Sequence, residues 1–113
     1  MLTVIENPYF IKKASKILTD EQRIELIDFI SVNYDKGDTI SGTGGVQKIR
    51  FAHQTGKGKS GGARVIYLVL DKKGCVHLID IFEKNTKENL SGADKNAMKK
   101  LTEILKKEEK NNV

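Results

Sequence analysis

The chain has 113 residues, a length that predicts one domain spanning residues 1–113 with a modest hydrophobic core. A single cysteine, Cys75, excludes an intramolecular disulfide framework, and no apolar run is long enough for a transmembrane helix. The first residues lack the basic start and apolar stretch of a signal peptide, so we expect a cytoplasmic protein without a membrane partner.

The distribution of charge is more informative than the net charge of +5. No acidic residue lies between Asp38 and Asp71, yet five cations do. Without these five, fifteen basic residues stand against fifteen acidic ones, so the whole positive excess lies in one central segment. Clustered cations of this kind attract polyanions, because binding releases counterions from the phosphates. The alternative is a solvated basic loop that aids solubility.

The first third of the chain predicts a short strand followed by a helical hairpin. The strand runs from Leu2 to Ile5. Asn7-Pro8 is typical of a helix start, with asparagine as the N-cap and proline in the first turn. Thr19 with Gln22 three residues later forms a capping-box pattern that opens a second helix, which we expect to end near Tyr34.

The middle of the chain predicts strands separated by two glycine-rich loops, residues 41–45 and 55–62. Between the loops, a strand from Val46 to Phe51 alternates, so that Lys48 and Arg50 point away from the face that carries Ile49 and Phe51. Residues 63–70 are nearly all apolar, which indicates a central strand covered on both faces. A turn at residues 71–74 then joins it to a hairpin partner, residues 75–82.

The last predicted element is a helix that begins at Ser91. Its expected buried stripe is Ala97, Met98, Leu101, Ile104 and Leu105, and we expect the charged tail from about residue 106 to residue 113 to fray. The element order is therefore β-α-α-β-β-β-α. This order predicts an α+β fold: a small, mostly antiparallel sheet with an N-terminal helical hairpin and a C-terminal helix.

The strand alternation and the loops predict a cluster of cations around the central hairpin. Lys48 and Arg50 project from one face of their strand, the loop carrying Lys57 and Lys59 follows it, and Arg64 begins the returning strand. Lys84, after the next strand, extends the same rim. A surface of this kind, without an intervening carboxylate, suits a phosphate.

Other kinds of site fit the sequence poorly. Gly58-Lys59-Ser60 resembles the end of a P-loop, but the first glycine of that pattern is replaced by His53, and a strand rather than a helix follows. His53 and His77 have no partners at zinc-ligand spacing, and the basic segment lacks the acidic cluster of a two-metal nuclease. Cys75 and Tyr67 are more typical of packing residues. We therefore expect no metal and no cofactor.

Two segments, Gly42-Thr43-Gly44-Gly45-Val46-Gln47-Lys48-Ile49-Arg50 and Gly56-Lys57-Gly58-Lys59-Ser60-Gly61-Gly62-Ala63-Arg64-Val65-Ile66-Tyr67, resemble the HigB-like branch of the RelE/ParE superfamily of type II toxins. The later segment Ile81-Phe82-Glu83-Lys84-Asn85 and the closing helix continue the likeness. The resemblance covers nearly the whole chain, from the helical hairpin to the final helix.

The resemblance implies a ribosome-dependent endoribonuclease that cleaves mRNA in the ribosomal A site and is inhibited by a cognate antitoxin protein. In this family the RNA 2′-OH attacks the adjacent phosphorus, and fixed cations stabilise the extra charge of the transition state. Matching positions assign catalysis to Lys48, Arg50, Arg64 and Lys84, and RNA binding to Lys57, Lys59 and Phe82. Phe82 departs from a tyrosine found in some relatives: it can stack on a base but cannot transfer a proton.

Two alternatives remain at this stage, because one scaffold can host several functions. The ParE branch of the same superfamily inhibits DNA gyrase without cutting RNA. A disabled toxin could also act only as a corepressor together with its antitoxin, although nothing in the sequence marks a recognition helix. The set Lys48, Arg50 and Arg64 favours the nuclease.

Overall fold

The computed structural model describes residues 2–52, 62–83 and 90–111, with side chains as far as residue 108. Three helices lie in this part of the chain: α1 (Pro8–Ile17), α2 (Asp20–Asn33) and α3 (Gly92–Asn111). Five strands accompany them: β1 (Thr3–Glu6), β2 (Asp38–Thr39), β3 (Gln47–Phe51), β4 (Ala63–Leu70) and β5 (Cys75–Glu83). A short 3-10 turn, Asp71–Lys73, joins β4 to β5.

Local capping interactions begin each helix where the sequence predicts. The Asn7 side chain accepts a hydrogen bond from the Phe10 N–H at 2.8 Å, and Pro8 occupies the first turn of α1. Thr19 and Gln22 form the predicted reciprocal capping box of α2, with bonds of 2.9 and 3.1 Å. At α3, Ser91 and Asp94 exchange the same pair of bonds. These contacts satisfy donors that a helix start leaves unpaired.

The sheet has the strand order β1-β5-β4-β3-β2. β1 runs parallel to β5, and the other neighbouring strands are antiparallel, so the predicted mostly antiparallel α+β fold is confirmed. The sequence misses β2, which has only two residues. This strand pairs Asp38 with Lys48 and Thr39 with Gln47. Two polar residues are too short a run for any alternation to appear.

Helices cover both faces of the sheet, and β4 is buried between them as predicted. Val65 and Tyr67 pack on the α1–α2 side, together with Phe10 and Leu26. Alternate residues of β4 face the other way and pack with Met98 of α3. The two cores therefore hold β4 in place from both sides, and with it any side chain that β4 carries at its ends.

The inner side of α3 differs from the predicted stripe. Met98 and Thr102 are buried, whereas Ala97 and Ile104 are exposed. The helix extends to Asn111, and fraying of its tail stays a prediction. Within the tail, the Lys106 Nζ donates a hydrogen bond to the Gly44 carbonyl at 2.9 Å.

The first glycine-rich loop is shaped to accept α3. Thr43 closes the loop: its hydroxyl donates to the Ile40 carbonyl at 2.7 Å and accepts from the Val46 N–H at 3.0 Å. Gly44 has a φ of +83°, and a Cβ there would lie 3.1 Å from the Thr102 methyl group. A glycine therefore meets both the backbone conformation and the close approach of the helix.

No helix in the described part of the chain is long and apolar enough to cross a membrane.

Candidate functional site

β3 and β4 place three cationic side chains on one face of the sheet. In the antiparallel register, Arg50 lies directly opposite Arg64, and Lys48 lies opposite Ile66, two residues further along β4. Because side chains alternate along a strand, Lys48, Arg50 and Arg64 project from the same face, the one that α3 covers in part. The structure thus brings together the three described cations that the sequence predicts to cluster.

These side chains border an open groove of about 350 Å³ beside β3. Arg50 is exposed, whereas Lys48 and Arg64 are half-buried. The groove also contains a carboxylate, Asp38, on the strand that pairs with β3. The residues that line it are Lys36, Asp38, Lys48, Ile49, Arg50 and Arg64.

No carboxylate within residues 2–52, 62–83 and 90–108 forms an ion pair with any of the three clustered cations. The described ion pairs lie elsewhere, between Arg23 and Glu6 at 2.9 Å and between Lys13 and Asp80 at 2.6 Å. The second pair matters for the site, because Asp80 stands on β5 two residues before the partner of Arg64. Lys13 binds this buried carboxylate, and Arg64 forms no ion pair with Asp80 or with any other described carboxylate.

Arg64 has a buried hydrogen-bond donor that no described residue satisfies. Its Nε is shielded from solvent and makes no hydrogen bond within residues 2–52, 62–83 and 90–108. Leaving such a donor unpaired is unfavourable, and it is more so when the group is charged. A guanidinium binds a phosphate through two parallel N–H bonds, so an oxyanion in the groove would satisfy this group.

A second, smaller recess adjoins the groove on the α3 side and has a volume of about 160 Å³. Lys48 and Arg64 line both cavities and form the wall between them. Four apolar side chains and one further cation complete the recess; the full lining is Ile40, Lys48, Arg64, Ile66, Phe82, Leu90 and Lys95.

Phe82 lies opposite Arg64 on β5 and contributes to this recess. Its ring packs in the α3-side core with only 7% of the residue exposed, and the Lys13 Nζ lies 5.9 Å from the ring centroid. The small exposed fraction limits the area on which a base could stack. The predicted RNA-binding role of Phe82 stays a prediction.

Tyr67 packs on the α1–α2 side of the sheet, opposite the face that carries Lys48, Arg50 and Arg64. It is fully buried, as the sequence predicts, and its hydroxyl lies 2.9 Å from the Tyr34 carbonyl and 3.0 Å from the Gln47 amide oxygen. Burial raises the pKa of the phenol above its ordinary value, the carboxylates of Asp35 and Asp38 add to the rise, and a hydrogen bond from the Gly37 backbone opposes it. The hydroxyl thus joins the end of α2 to β3 beside Lys48.

Sequence reasoning missed three charged residues that line the two cavities: Lys36, Asp38 and Lys95. Asp38 lies in β2, a strand that the sequence does not reveal, and Lys36 precedes this strand by two residues. A signal for Lys95 does exist, because it precedes the buried Met98 by three residues and Thr102 by seven, a spacing that places all three on one side of a helix.

Three predicted site residues, Lys57, Lys59 and Lys84, lie outside the described residues. His53, which the sequence analysis rejects as a zinc ligand, lies outside them as well. Among the residues that the structure does describe, no group of three or more histidine, cysteine, aspartate or glutamate side chains is placed to hold a metal ion. Cys75 is buried in the α3-side core, in agreement with a packing role.

The described molecule is a small α+β protein with a cationic sheet face, and solved structures share its fold. The free-state structure of an arginine-to-alanine double mutant of E. coli toxin RelE matches with a TM-score of 0.53 and 20% identity, over 77% of this chain and 87% of that one. The isolated E. coli RelE toxin matches with a TM-score of 0.52 and 19% identity, over 89% of this chain and 99% of that one.

A family model assigns the sequence more directly than these distant structures do. The model described as the RelE toxin of the RelE/RelB toxin-antitoxin system matches residues 3–113. The chain therefore belongs to the RelE toxin family.

Proposed function

We propose that this protein is the toxin of a type II toxin-antitoxin system and acts as a ribosome-dependent, metal-independent endoribonuclease on mRNA. The observation that carries the proposal is the pairing of Arg50 with Arg64 on a sheet face where neither guanidinium has an acidic partner among the described residues. Two unneutralised arginines held side by side suit a ligand with several anionic oxygens, such as a phosphodiester approaching its transition state.

The proposed reaction is an internal transfer of the phosphoryl group. The 2′-oxygen of one nucleotide attacks the adjacent phosphorus, its proton passes to a base, and the bond from phosphorus to the 5′-oxygen breaks as that oxygen takes up a proton. The products are a 2′,3′-cyclic phosphate and a 5′-hydroxyl end. The pentacoordinate phosphorus carries more negative charge than the diester, so fixed guanidinium groups bind it more tightly than the substrate.

The positions of the described residues suit them to different roles in this reaction. Arg64 lies on the central strand of the sheet, and its buried Nε has no hydrogen-bond partner among the described residues, which suits it to the phosphorus centre. Arg50 stands opposite and is exposed, where it can approach with the message. Lys48 lies between groove and recess and would hold the RNA backbone, or accept the 2′-OH proton if it is neutral. Lys57, Lys59 and Lys84 are assigned to RNA binding and catalysis by resemblance alone.

We further propose that the protein belongs to the HigB-like branch, is inhibited by a cognate antitoxin and acts in the cytoplasm. The branch assignment rests on the two glycine-rich segments. In the first of them, Thr43 and Gly44 shape the loop against which α3 packs. The second segment carries Lys57 and Lys59.

A translating extract tests the proposal. Purified protein is added together with a reporter message, and primer extension maps the cuts. We expect the wild type to cleave and Arg64→Ala to cleave at least about 100-fold more slowly, since one transition-state donor is worth that much. Lys72→Ala is the matched control: it removes one positive charge at an exposed site in the turn that follows the other end of β4, and it should cleave normally.

Two outcomes would contradict the proposal. One is normal cleavage by a folded Arg64→Ala variant, which would remove the cationic face from the reaction. The other is inhibition of supercoiling by purified DNA gyrase without any RNA cutting, which would favour the gyrase-inhibitor alternative. The thermal unfolding midpoint of each variant shows whether its fold is intact.

A further inference from the structure

The recess beneath the start of α3 combines apolar and cationic walls in a small volume. Ile40, Ile66, Phe82 and Leu90 form its apolar part, and three cations line the remainder. No carboxylate is among its lining residues in the described part of the chain. A ligand that fits must therefore present a compact apolar surface attached to negative charge.

Of the three described cations that line the recess, Lys48 and Arg64 also line the groove, whereas Lys95 lines the recess alone. It lies in the first turns of α3, half-buried, and forms no ion pair with any described carboxylate. The neighbouring Asp94 carboxylate accepts the Ser91 N–H at 3.1 Å as part of the helix cap. Partial burial of an unpaired lysine is unfavourable, so an anion beside it would stabilise the site.

The position of the recess links it to the cationic groove. Lys48 and Arg64 form the common wall, so an RNA strand with its phosphate at Arg64 would place a neighbouring nucleotide at the recess. The volume of about 160 Å³ lies well below the range of roughly 300–1,000 Å³ typical of drug-sized ligands. It suits a single planar ring system better than a dinucleotide.

We propose that this recess is a nucleotide subsite, in which a base of the RNA packs on Leu90, the most exposed of the apolar lining residues, while Lys95 binds the phosphate of the same nucleotide. The proposal rests on the proposed nuclease function and adds to it a contact that positions the message beside Arg64. Base packing on apolar side chains supplies affinity without requiring one particular base, and the cation fixes the phosphate.

A nucleotide titration followed by amide NMR tests the subsite without the ribosome. We expect adenosine 3′-monophosphate to shift the amide signals of Ile66, Leu90 and Lys95 as well as that of Arg64. Inorganic phosphate and ribose 5-phosphate, which lack a base, should shift Arg64 and Lys95 but not Ile66 or Leu90. If the three ligands shift the same residues equally, the base does not enter the recess and the proposal is wrong.

Lys95→Ala should weaken adenosine 3′-monophosphate binding about tenfold, a typical loss for one charge-assisted hydrogen bond. Lys95→Arg should retain most of it. The matched control is Lys100→Ala, an exposed lysine on the outer side of α3, which should bind as the wild type does. In the extract, Lys95→Ala should raise the KM for the translated message and leave kcat nearly unchanged.

The outcomes separate this inference from the proposed function. If the wild type cuts RNA while Lys95→Ala leaves nucleotide binding and KM unchanged, the subsite is wrong and the nuclease stands. If the nucleotide shifts the recess as expected but no message is cut, the nuclease is wrong and the recess still binds nucleotides. If no recess residue responds to the nucleotide, the inference fails, and an apolar side chain of a protein partner becomes the better occupant.

Discussion

Arg50 and Arg64 are directly opposed across β3 and β4, and no described carboxylate pairs with either. Like charges in opposed cross-strand positions destabilise a sheet, since their Cβ atoms lie only about 5 Å apart. We therefore expect the arrangement to lower the free energy of unfolding while it concentrates positive potential at the groove. Functional sites often reduce stability in this way.

The repulsion predicts that Arg50→Gln stabilises the fold. Removing one charge while keeping most of the side-chain length should raise the free energy of unfolding by about 0.5 kcal/mol. Arg50 is exposed, so salt should screen the effect. Urea denaturation at low and high salt measures it, with Lys72→Gln as the control for charge removal elsewhere. An Arg50→Gln variant less stable than wild type at low salt would contradict the repulsion.

Asp38 is the carboxylate that lies among the groove cations, opposite Lys48 on β2. It repels a phosphate bound there. Asp38→Asn should therefore tighten binding of a short RNA about threefold, the effect of one charge at roughly 7 Å in a water-like dielectric. Fluorescence anisotropy measures the change, and Asp71→Asn, outside the groove, is the control. Weaker RNA binding by Asp38→Asn would mean that this carboxylate assists the ligand.

Gly37 allows Tyr67 to reach its partners. A Cβ at residue 37 would overlap the Tyr67 hydroxyl and lie 2.8 Å from the Lys48 carbonyl oxygen. Gly37→Ala should lower the free energy of unfolding by about 1–3 kcal/mol, the usual cost of overpacking. Gly92→Ala is the matched control, because a Cβ there meets nothing within 4 Å.

Adding Tyr67→Phe to Gly37→Ala tests the cause of that loss. The double variant should recover part of the lost stability, since the hydroxyl is the first atom in the way but the Lys48 carbonyl remains. Thermal or urea unfolding of the four proteins gives the coupling energy. Strictly additive effects would show that residue 37 does not act through Tyr67.

The raised pKa of Tyr67 predicts a loss of stability in alkali. The folded chain keeps the phenol protonated to higher pH than the unfolded chain, whose tyrosine ionises near 10.0. Above that pH the folded state binds more protons, so the free energy of unfolding falls as pH rises towards and through the folded pKa. Tyr67→Phe should be less stable at neutral pH by about 1 kcal/mol, because its hydrogen bonds are lost.

The difference in free energy of unfolding between wild type and Tyr67→Phe separates the ionisation of this tyrosine from other effects of alkali. Between about pH 9 and pH 11, the stability advantage of the wild type over Tyr67→Phe should shrink. Urea midpoints at several pH values measure it. A constant difference across this range would contradict the assignment of a raised pKa to Tyr67.

The parts of the fold that depend on local chemistry could be predicted from the sequence. Asn7, Thr19 and Ser91 start the helices as expected, because a cap needs only the residues within one turn. The gathering of Lys48, Arg50 and Arg64 at one hairpin was also predicted, from alternation along β3 and the position of Arg64 at the start of the returning strand. The register that sets Arg50 directly opposite Arg64 was not predicted, because the long loop between the two strands does not fix it.

The parts that depend on tertiary contacts could not be predicted in the same way. Thr102 replaces Ala97 and Ile104 on the inner side of α3 because the helix approaches the loop at Gly44. The docking of α3 is also what carries Lys95 to the recess. β2 forms because a neighbouring strand offers two hydrogen-bonding partners, and its own residues give no sign of it.

We propose that the paired arginines promote attack of the RNA 2′-OH on the adjacent phosphorus, and the chemistry of the cut ends tests this role most directly. In the translating extract, wild-type protein should leave a 2′,3′-cyclic phosphate upstream and a 5′-hydroxyl downstream, and a message with a 2′-deoxynucleotide at the cut should stay whole. Arg64→Ala should yield neither end. A 5′-phosphate product, or cutting of the 2′-deoxy message, would contradict the account.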